Sequence, residues 1–222
     1  HAVNFPIARE GWAFIGPAVA AAVLALALRG YGRGWVVLGA TAAVLAVAFA
    51  WFFRDPDRTV SMAPGLILSP GDGRVMEVSE VDEPEFLRGR GTVVKIFLAV
   101  WNVHVQRAPA AGTVRFVSYR PGKFLPAMAA AASAENERNL VGIEVADSRG
   151  GGRPVRLLVT QVAGILARRI SCWTREGASL ERGQRFGLIK FGSQVDLFLP
   201  AGVPVRVKPG DHVRGGETVV AE

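Results

Sequence analysis

Thiols are all but missing from this chain. A single cysteine, Cys172, occurs in 222 residues, which excludes an intrachain disulfide framework and any multi-thiolate metal centre; no metal is expected. That usage is compatible with a reducing compartment, and Cys172 reads as a small buried hydrophobe. Charged residues are also few, at 20%, while half the chain is hydrophobic and the mean hydropathy is +0.27. A disordered or solvating chain is thereby excluded. The 26 glycines and 13 prolines follow no three-residue period, so a collagen-like rod is excluded too. Acidic residues number 19 against 26 basic ones, a net charge of +7. This balance suits anionic lipid or nucleic acid, and no aromatic-basic motif supports the second. Only three histidines are present, so acid–base candidates are few. The length suits one compact domain with an appendage, or one large domain. A start at His1 rather than Met leads us to expect a trimmed or engineered terminus.

What is abundant is apolar sequence near the start. Residues 12–28 carry no charge over 17 positions and residues 35–53 none over 19, with RGYGRG between them. A membrane-spanning helix needs about 20 apolar residues, so both runs qualify. Trp12, Trp35 and Trp51 lie near the run ends, where indole rings favour the membrane interface. The alternative is a pair of buried core helices, but both runs are apolar all round rather than striped. A cleaved signal peptide accounts for one run and not for two. Gly16 and Pro17 weaken the first run as a straight helix, and arginines on both sides of the joint leave orientation open. We expect residues 1–53 to form a membrane-anchoring helical pair and residues 54–222 a separate β-rich domain.

From Arg54 onward, short β-branched runs recur between turn signals. They are RVMEV at 74–78, TVVKIFLAV at 92–100, GTVRFVSY at 112–119, LVGIEV at 140–145, VRLLVTQV at 155–162, QVDLFLP at 194–200 and VPVRV at 203–207. Glycine-, proline- and aspartate-rich joints separate them. This pattern predicts a mainly β domain, an antiparallel sandwich or barrel-like sheet, rather than βαβ units. Residues 126–138 are the one stretch suited to a helix or a mobile loop.

Three residues in this domain suit chemistry. His104, in WNVHVQR, falls in an alternating segment where it points away from Val103 and Val105. Asp72 sits between two glycines that permit a tight turn with the carboxylate at its tip. Ser193 follows Gly192 inside an otherwise apolar strand, where a hydroxyl has little packing value and glycine lets another group approach the preceding carbonyl. Each has a plain structural alternative: a core histidine, an ordinary turn, a bulge with a satisfied hydroxyl. His212 reads as a turn residue.

Taken together, FFRDPDR at 52–58, SPGDGRV, FLAVWNVHVQRAPAAGTV, ENERN, FGSQVDLFLP and VKPGDHVRGGETVVA resemble, in order, the motifs of the phosphatidylserine decarboxylase proenzyme family, in its short bacterial and archaeal branch. The resemblance implies self-cleavage between Gly192 and Ser193, giving a β chain of 1–192 and an α chain of 193–222. It implies a processing triad of Asp72, His104 and Ser193, with Ser193 converted to a covalent pyruvoyl group that forms a Schiff base with the substrate amine. The implied reaction turns phosphatidylserine into phosphatidylethanolamine and CO2 at the cytoplasmic face of the inner membrane, with homodimerisation expected. His104 is also the expected proton donor after CO2 departs. Departures are small: Pro70-Gly71 precede the aspartate where alanine often does, and Gln106 stands where asparagine is common. Head-group preference stays open.

Arg107, Arg115, Arg120 and Lys123, with Phe124, Leu125 and Met128, are candidates for a lipid-facing surface. The Glu135–Asn139 motif has no assigned step. A competing reading is a non-enzymatic, membrane-anchored barrel-sandwich adaptor, since VKPGDHVRGGETVV also resembles lipoyl-like modules, which need no Ser193.

Overall fold

The computed structural model describes residues 6–126, 131–146, 154–164, 169–190 and 193–222. The chain divides into two compact units, residues 1–57 and 58–222.

The first unit is a helical hairpin. Helix α1 (Trp12–Ala27) follows a short 3-10 turn at Arg9–Gly11, and α2 (Arg33–Phe52) returns after a second such turn at Arg29–Tyr31. Pro17 lies inside α1 without ending it, so the only local loss is one ladder bond. Small residues let the helices approach: a Cβ on Gly39 would stand 3.2 Å from Ala25 Cβ, and Ala25, Ala42 and Ala46 are buried. The ring of Phe14 packs on those of Phe49 and Phe53, at 5.4 and 5.3 Å between centroids. Val23, Leu24, Leu26, Val36, Val37, Val44 and Val47 are exposed, which is not the pattern of core helices. Both helices, counted as Arg9–Ala27 and Arg33–Phe52, are long and apolar enough to cross a membrane.

The second unit is mainly antiparallel β. Its strands are β1 (Ile67–Leu68), β2 (Gly73–Glu83), β3 (Gly89–Leu98), β4 (Val105–Arg107), β5 (Gly112–Arg120), β6 (Arg138–Val145), β7 (Val155–Ala163), β8 (Ile170–Cys172), β9 (Ser179–Leu180), β10 (Arg185–Ile189), β11 (Ser193–Pro200), β12 (His212–Val213) and β13 (Val219–Ala221). Eight of them form a curled sheet in the order β12-β2-β3-β11-β7-β6-β5-β9. A three-stranded sheet, β4-β10-β8, and the pair β1-β13 complete the unit. Alternation sorts the side chains by face. Val195, Leu197 and Leu199 of β11 enter the main core with Val94, Ile96, Leu98, Val141, Val159 and Phe186. Phe198 faces the other way, toward Phe86, Leu140 and Leu158.

Some sequence expectations differ locally. The run VPVRV at 203–207 contributes only an isolated bridge, Val205 to Ala221, because Pro204 has no N–H for a ladder. Within 126–138 the described helix is a single turn, α3 (Ala132–Glu135); residues 127–130, Met128 included, lie outside the described residues. His212 sits in β12 rather than in a turn.

Candidate active site

Main-chain hydrogen bonds draw the three sequence-predicted segments together. The Arg107 amide donates to the Pro70 carbonyl at 2.9 Å, tying the strand after His104 to the turn before Asp72. The Ile189 amide donates to the His104 carbonyl at 3.2 Å, tying the same segment to the end of β10. Ser193 opens β11, opposite Leu98 of β3 and Ala163 of β7. A Cβ on Gly71 would stand 3.0 Å from Val195 Cγ1, so the aspartate turn packs on the same strand two residues after the serine. Gly192 and Phe191 lie outside the described residues.

His104 is fully buried and precedes β4 rather than lying in a strand, and Val103 and Val105 are buried with it. Its Nδ1 lies 2.9 Å from the Asn102 carbonyl oxygen. A carbonyl can only accept, so Nδ1 carries a proton. The orienting bond to the ring expected from an aspartate partner is thus made at Nδ1 by a main-chain oxygen. The Asn102 side chain fixes that turn by accepting from the Ala99 amide at 2.9 Å. Behind the imidazole runs a buried amide chain. Asn139 donates to Gln161, Gln161 to Gln106, and Gln106 to the His104 carbonyl, at 2.9, 2.9 and 2.8 Å.

Asp72 is not displayed at a turn tip. Its side chain is 14% exposed and faces Arg58, itself 7% exposed. Arg58 Nη2 donates to both carboxylate oxygens, at 3.0 and 2.8 Å, and the Gly215 amide donates to Oδ1 at 2.8 Å. Arg58 also reaches Glu217 at 3.4 Å. Gly71 and Gly73 act here through small size: neither has a positive φ, and a side chain on Gly73 would collide with the Phe97 carbonyl.

The Ser193 hydroxyl is buried and has no hydrogen-bond partner among the described residues. Leaving such a group unsatisfied costs about 1–3 kcal/mol, so packing gives no reason for a serine here. The next polar residues of β11 face the other way. Gln194 donates to Ser133 Oγ at 2.7 Å and to Asp196 Oδ1 at 2.5 Å. Burial pushes the Asp196 carboxyl up to about 6, against the pull of bonds from Gln194 and Ser133 and of the Lys95 charge.

The proposed lipid-facing residues divide. Arg107 is buried and donates to the Gly183 carbonyl at 3.2 Å, so a surface role for it is corrected: its cation serves the core. Arg115 and Lys123 are ion-paired with Glu144 and Glu135, at 3.0 and 2.8 Å, and Arg120 is ion-paired with Glu85. Phe124 is exposed and Leu125 half-buried. Asn136, inside the unassigned ENERN motif, latches this segment. It accepts from the Leu125 amide at 2.8 Å and donates to the Leu125 and Ala163 carbonyls at 2.9 and 2.8 Å. Cys172 is half-buried, with its thiol 3.6 Å from the Thr174 carbonyl. Among the described residues no cluster of three or more potential metal ligands occurs.

Sequence reasoning assigned no role to Arg58, Asn102, Gln161 or Asp196. Arg58 lies in a motif that carried the resemblance, and Asp196 is a lone carboxylate in an apolar strand. The Asn102 carbonyl has no sequence signal, since every residue carries one.

A sequence model of the family described as "Phosphatidylserine decarboxylase" matches residues 45–221. A phosphatidylserine decarboxylase proenzyme of Symbiobacterium thermophilum is 52% identical over 214 residues, covering 96% of this chain and 94% of that protein. Proteins of the same name from Paramagnetospirillum magneticum and Burkholderia mallei are 45% and 43% identical over 98% and 99% of this chain, and over 87% and 98% of their own lengths. A likeness this long, running through every segment that builds the site, makes this chain a member of the phosphatidylserine decarboxylase family.

Proposed function

We propose that this protein cuts itself between Gly192 and Ser193, converts Ser193 into a pyruvoyl group, and then turns phosphatidylserine into phosphatidylethanolamine and CO2. The observation that carries the reading is a buried Ser193 hydroxyl with no hydrogen-bond partner among the described residues, in a chain whose relatives are named proenzymes.

The Ser193 hydroxyl cannot ionise unaided near neutrality, so His104 Nε2 takes its proton. The alkoxide attacks the Gly192 carbonyl carbon, and the peptide C–N bond breaks as the C–O bond of an ester forms. Loss of the α proton and elimination of the Gly192 carboxylate leave a dehydroalanine at 193. This tautomerises and takes up one water, releases ammonia, and leaves pyruvoyl as the new N-terminus. Asp72, steadied by Arg58 and the Gly215 amide, is the proposed stabiliser of the charged imidazole. The residues fit the group: a glycine precedes the serine and leaves its carbonyl without a shielding side chain, and the serine hydroxyl has no competing bond among the described residues. The pyruvoyl ketone supplies a site that condenses with a primary amine and draws off the electron pair released as CO2 leaves. His104 is the proposed source of the proton that replaces CO2 on the substrate carbon. The helical hairpin holds the enzyme at the cytoplasmic face of the inner membrane, where a two-chain lipid is within reach. Phe124 and Leu125 are the apolar part of the proposed lipid-facing surface.

Denaturing intact mass of wild type and Ser193→Ala tests this. Wild type is expected to yield two fragments, the 193–222 piece one ammonia lighter than simple hydrolysis gives, while the variant stays whole. A single full-length mass for wild type in the presence of membranes would favour the adaptor reading instead.

A further inference from the structure

The edge of the large sheet holds a cleft of about 650 Å3 that the processing chemistry does not use. Arg74 of β2 and His212 of β12 form one wall, directly opposite each other in the strand pairing. Phe97 and Met76 line it with apolar surface, and Trp101 and Asn102, from the segment just before His104, line it too. Among the described residues no carboxylate pairs with Arg74, in contrast to Arg115, Arg120 and Lys123. Trp101 is 71% exposed and Val100 beside it is exposed, giving the rim an aromatic, apolar lip suited to a lipid–water boundary.

Position relates this cleft to the serine. Arg74, Phe97 and Gln194 occupy one transverse row, each directly opposite the next on β2, β3 and β11. Their side chains share the sheet face opposite that of Ser193, and the cleft reaches the end of β11 through Ala99, which lines it and follows Leu98, the residue paired with Ser193. Asn102 joins the two sites: it lines the cleft, and its carbonyl holds the His104 imidazole. A guanidinium fork with a second ring N–H donor beside it matches the oxygens of a phosphate group.

We infer that the Arg74–His212 cleft binds the phosphodiester of the lipid headgroup, so that the serine amine and carboxylate lie toward residue 193. This rests on the decarboxylase reading and adds the headgroup subsite to it.

Steady-state kinetics on processed protein, with short-chain phosphatidylserine and with a phosphate-free O-alkylserine, tests the inference. Loss of one charge-assisted bond is expected to raise KM for the phospholipid about 10- to 100-fold in Arg74→Ala. A smaller rise is expected in His212→Ala and partial recovery in Arg74→Lys. The kcat/KM ratio of phospholipid to phosphate-free substrate should fall by the same factor. Equal losses on both substrates, or none on either, would overturn the assignment. Titration calorimetry with glycerophosphoserine supplies a readout without turnover. If wild type binds it and Arg74→Ala does not, while wild type decarboxylates nothing, the cleft stands and the enzymatic reading falls. If inorganic phosphate binds wild type as tightly as glycerophosphoserine, the occupant is free phosphate and the headgroup assignment fails.

Discussion

Asp196 carries a carboxylate into the buried strand β11, and burial pushes its pKa up to about 6 from an ordinary 3.8. The folded state therefore keeps the proton more tightly than the unfolded one. Its contribution to stability is greatest below pH 4 and is lost as pH rises toward 6, a swing of about 3 kcal/mol. Asp196→Asn is expected to abolish this component, so that denaturant midpoints of wild type and variant converge near pH 4 and separate, variant higher, above pH 6. Parallel curves at all pH values would show that Asp196 ionises normally. Arg58 poses the converse case, since its removal strands the Asp72 carboxylate in a part-buried site. Arg58→Met is expected to cost about 2–4 kcal/mol, somewhat less than a fully buried pair, and to slow appearance of the 193–222 fragment. A time course of intact mass, corrected for the folded fraction by circular dichroism, separates the two effects. Asp72 and Ser193 were legible because their neighbours are unusual: glycines around the first, an apolar strand around the second. Arg58 was legible as part of a motif but not as a partner, because 13 residues separate it from Asp72 and only folding brings them to 2.8 Å.

At the level of elements, β11 joins two chemistries through its twofold alternation. Ser193, Val195 and Leu197 share one face, while Gln194 and Asp196 share the other with Ser133. That alternation is readable from sequence, and so were the long strands β2, β3, β5, β6, β7 and β11. The short strands β4, β8, β9 and β10 were not, because two to five residues paired at long range leave no period of their own. The single turn α3 and the segment before it depend on Asn136, whose amide makes three bonds to Leu125 and Ala163. Asn136→Ala is expected to cost about 2–4 kcal/mol and to speed limited proteolysis within 121–137 while leaving cleavage elsewhere unchanged. Uniformly faster proteolysis would mean that the latch supports the whole sheet rather than this segment. The chain Asn139–Gln161–Gln106 acts on His104 in the same indirect way. Gln161→Leu leaves two buried amides unsatisfied and is expected to slow self-cleavage at least tenfold, measured against Gln161→Glu, which keeps the Asn139 bond.

At the scale of the whole molecule, the apolar helices and the candidate site lie in different units. Residues 1–57 and 58–222 are distinct compact units, and Asp72, His104 and Ser193 all belong to the second. A chain lacking residues 1–53 is expected to fold, to self-cleave, and to lose most sedimentation with phospholipid vesicles. Undiminished sedimentation would assign membrane binding to the β unit. The sequence by itself determined the unbroken apolar helices, the long alternating strands and the reactive residue types, because each follows from local composition and period. Only the tertiary structure decided which groups meet. It buried Arg107, paired Arg58 with Asp72, set a main-chain carbonyl against His104 Nδ1, and set Arg74 across from His212. Those pairings are made between residues far apart in the chain, and their partners are chosen by strand register and burial, which no local pattern encodes.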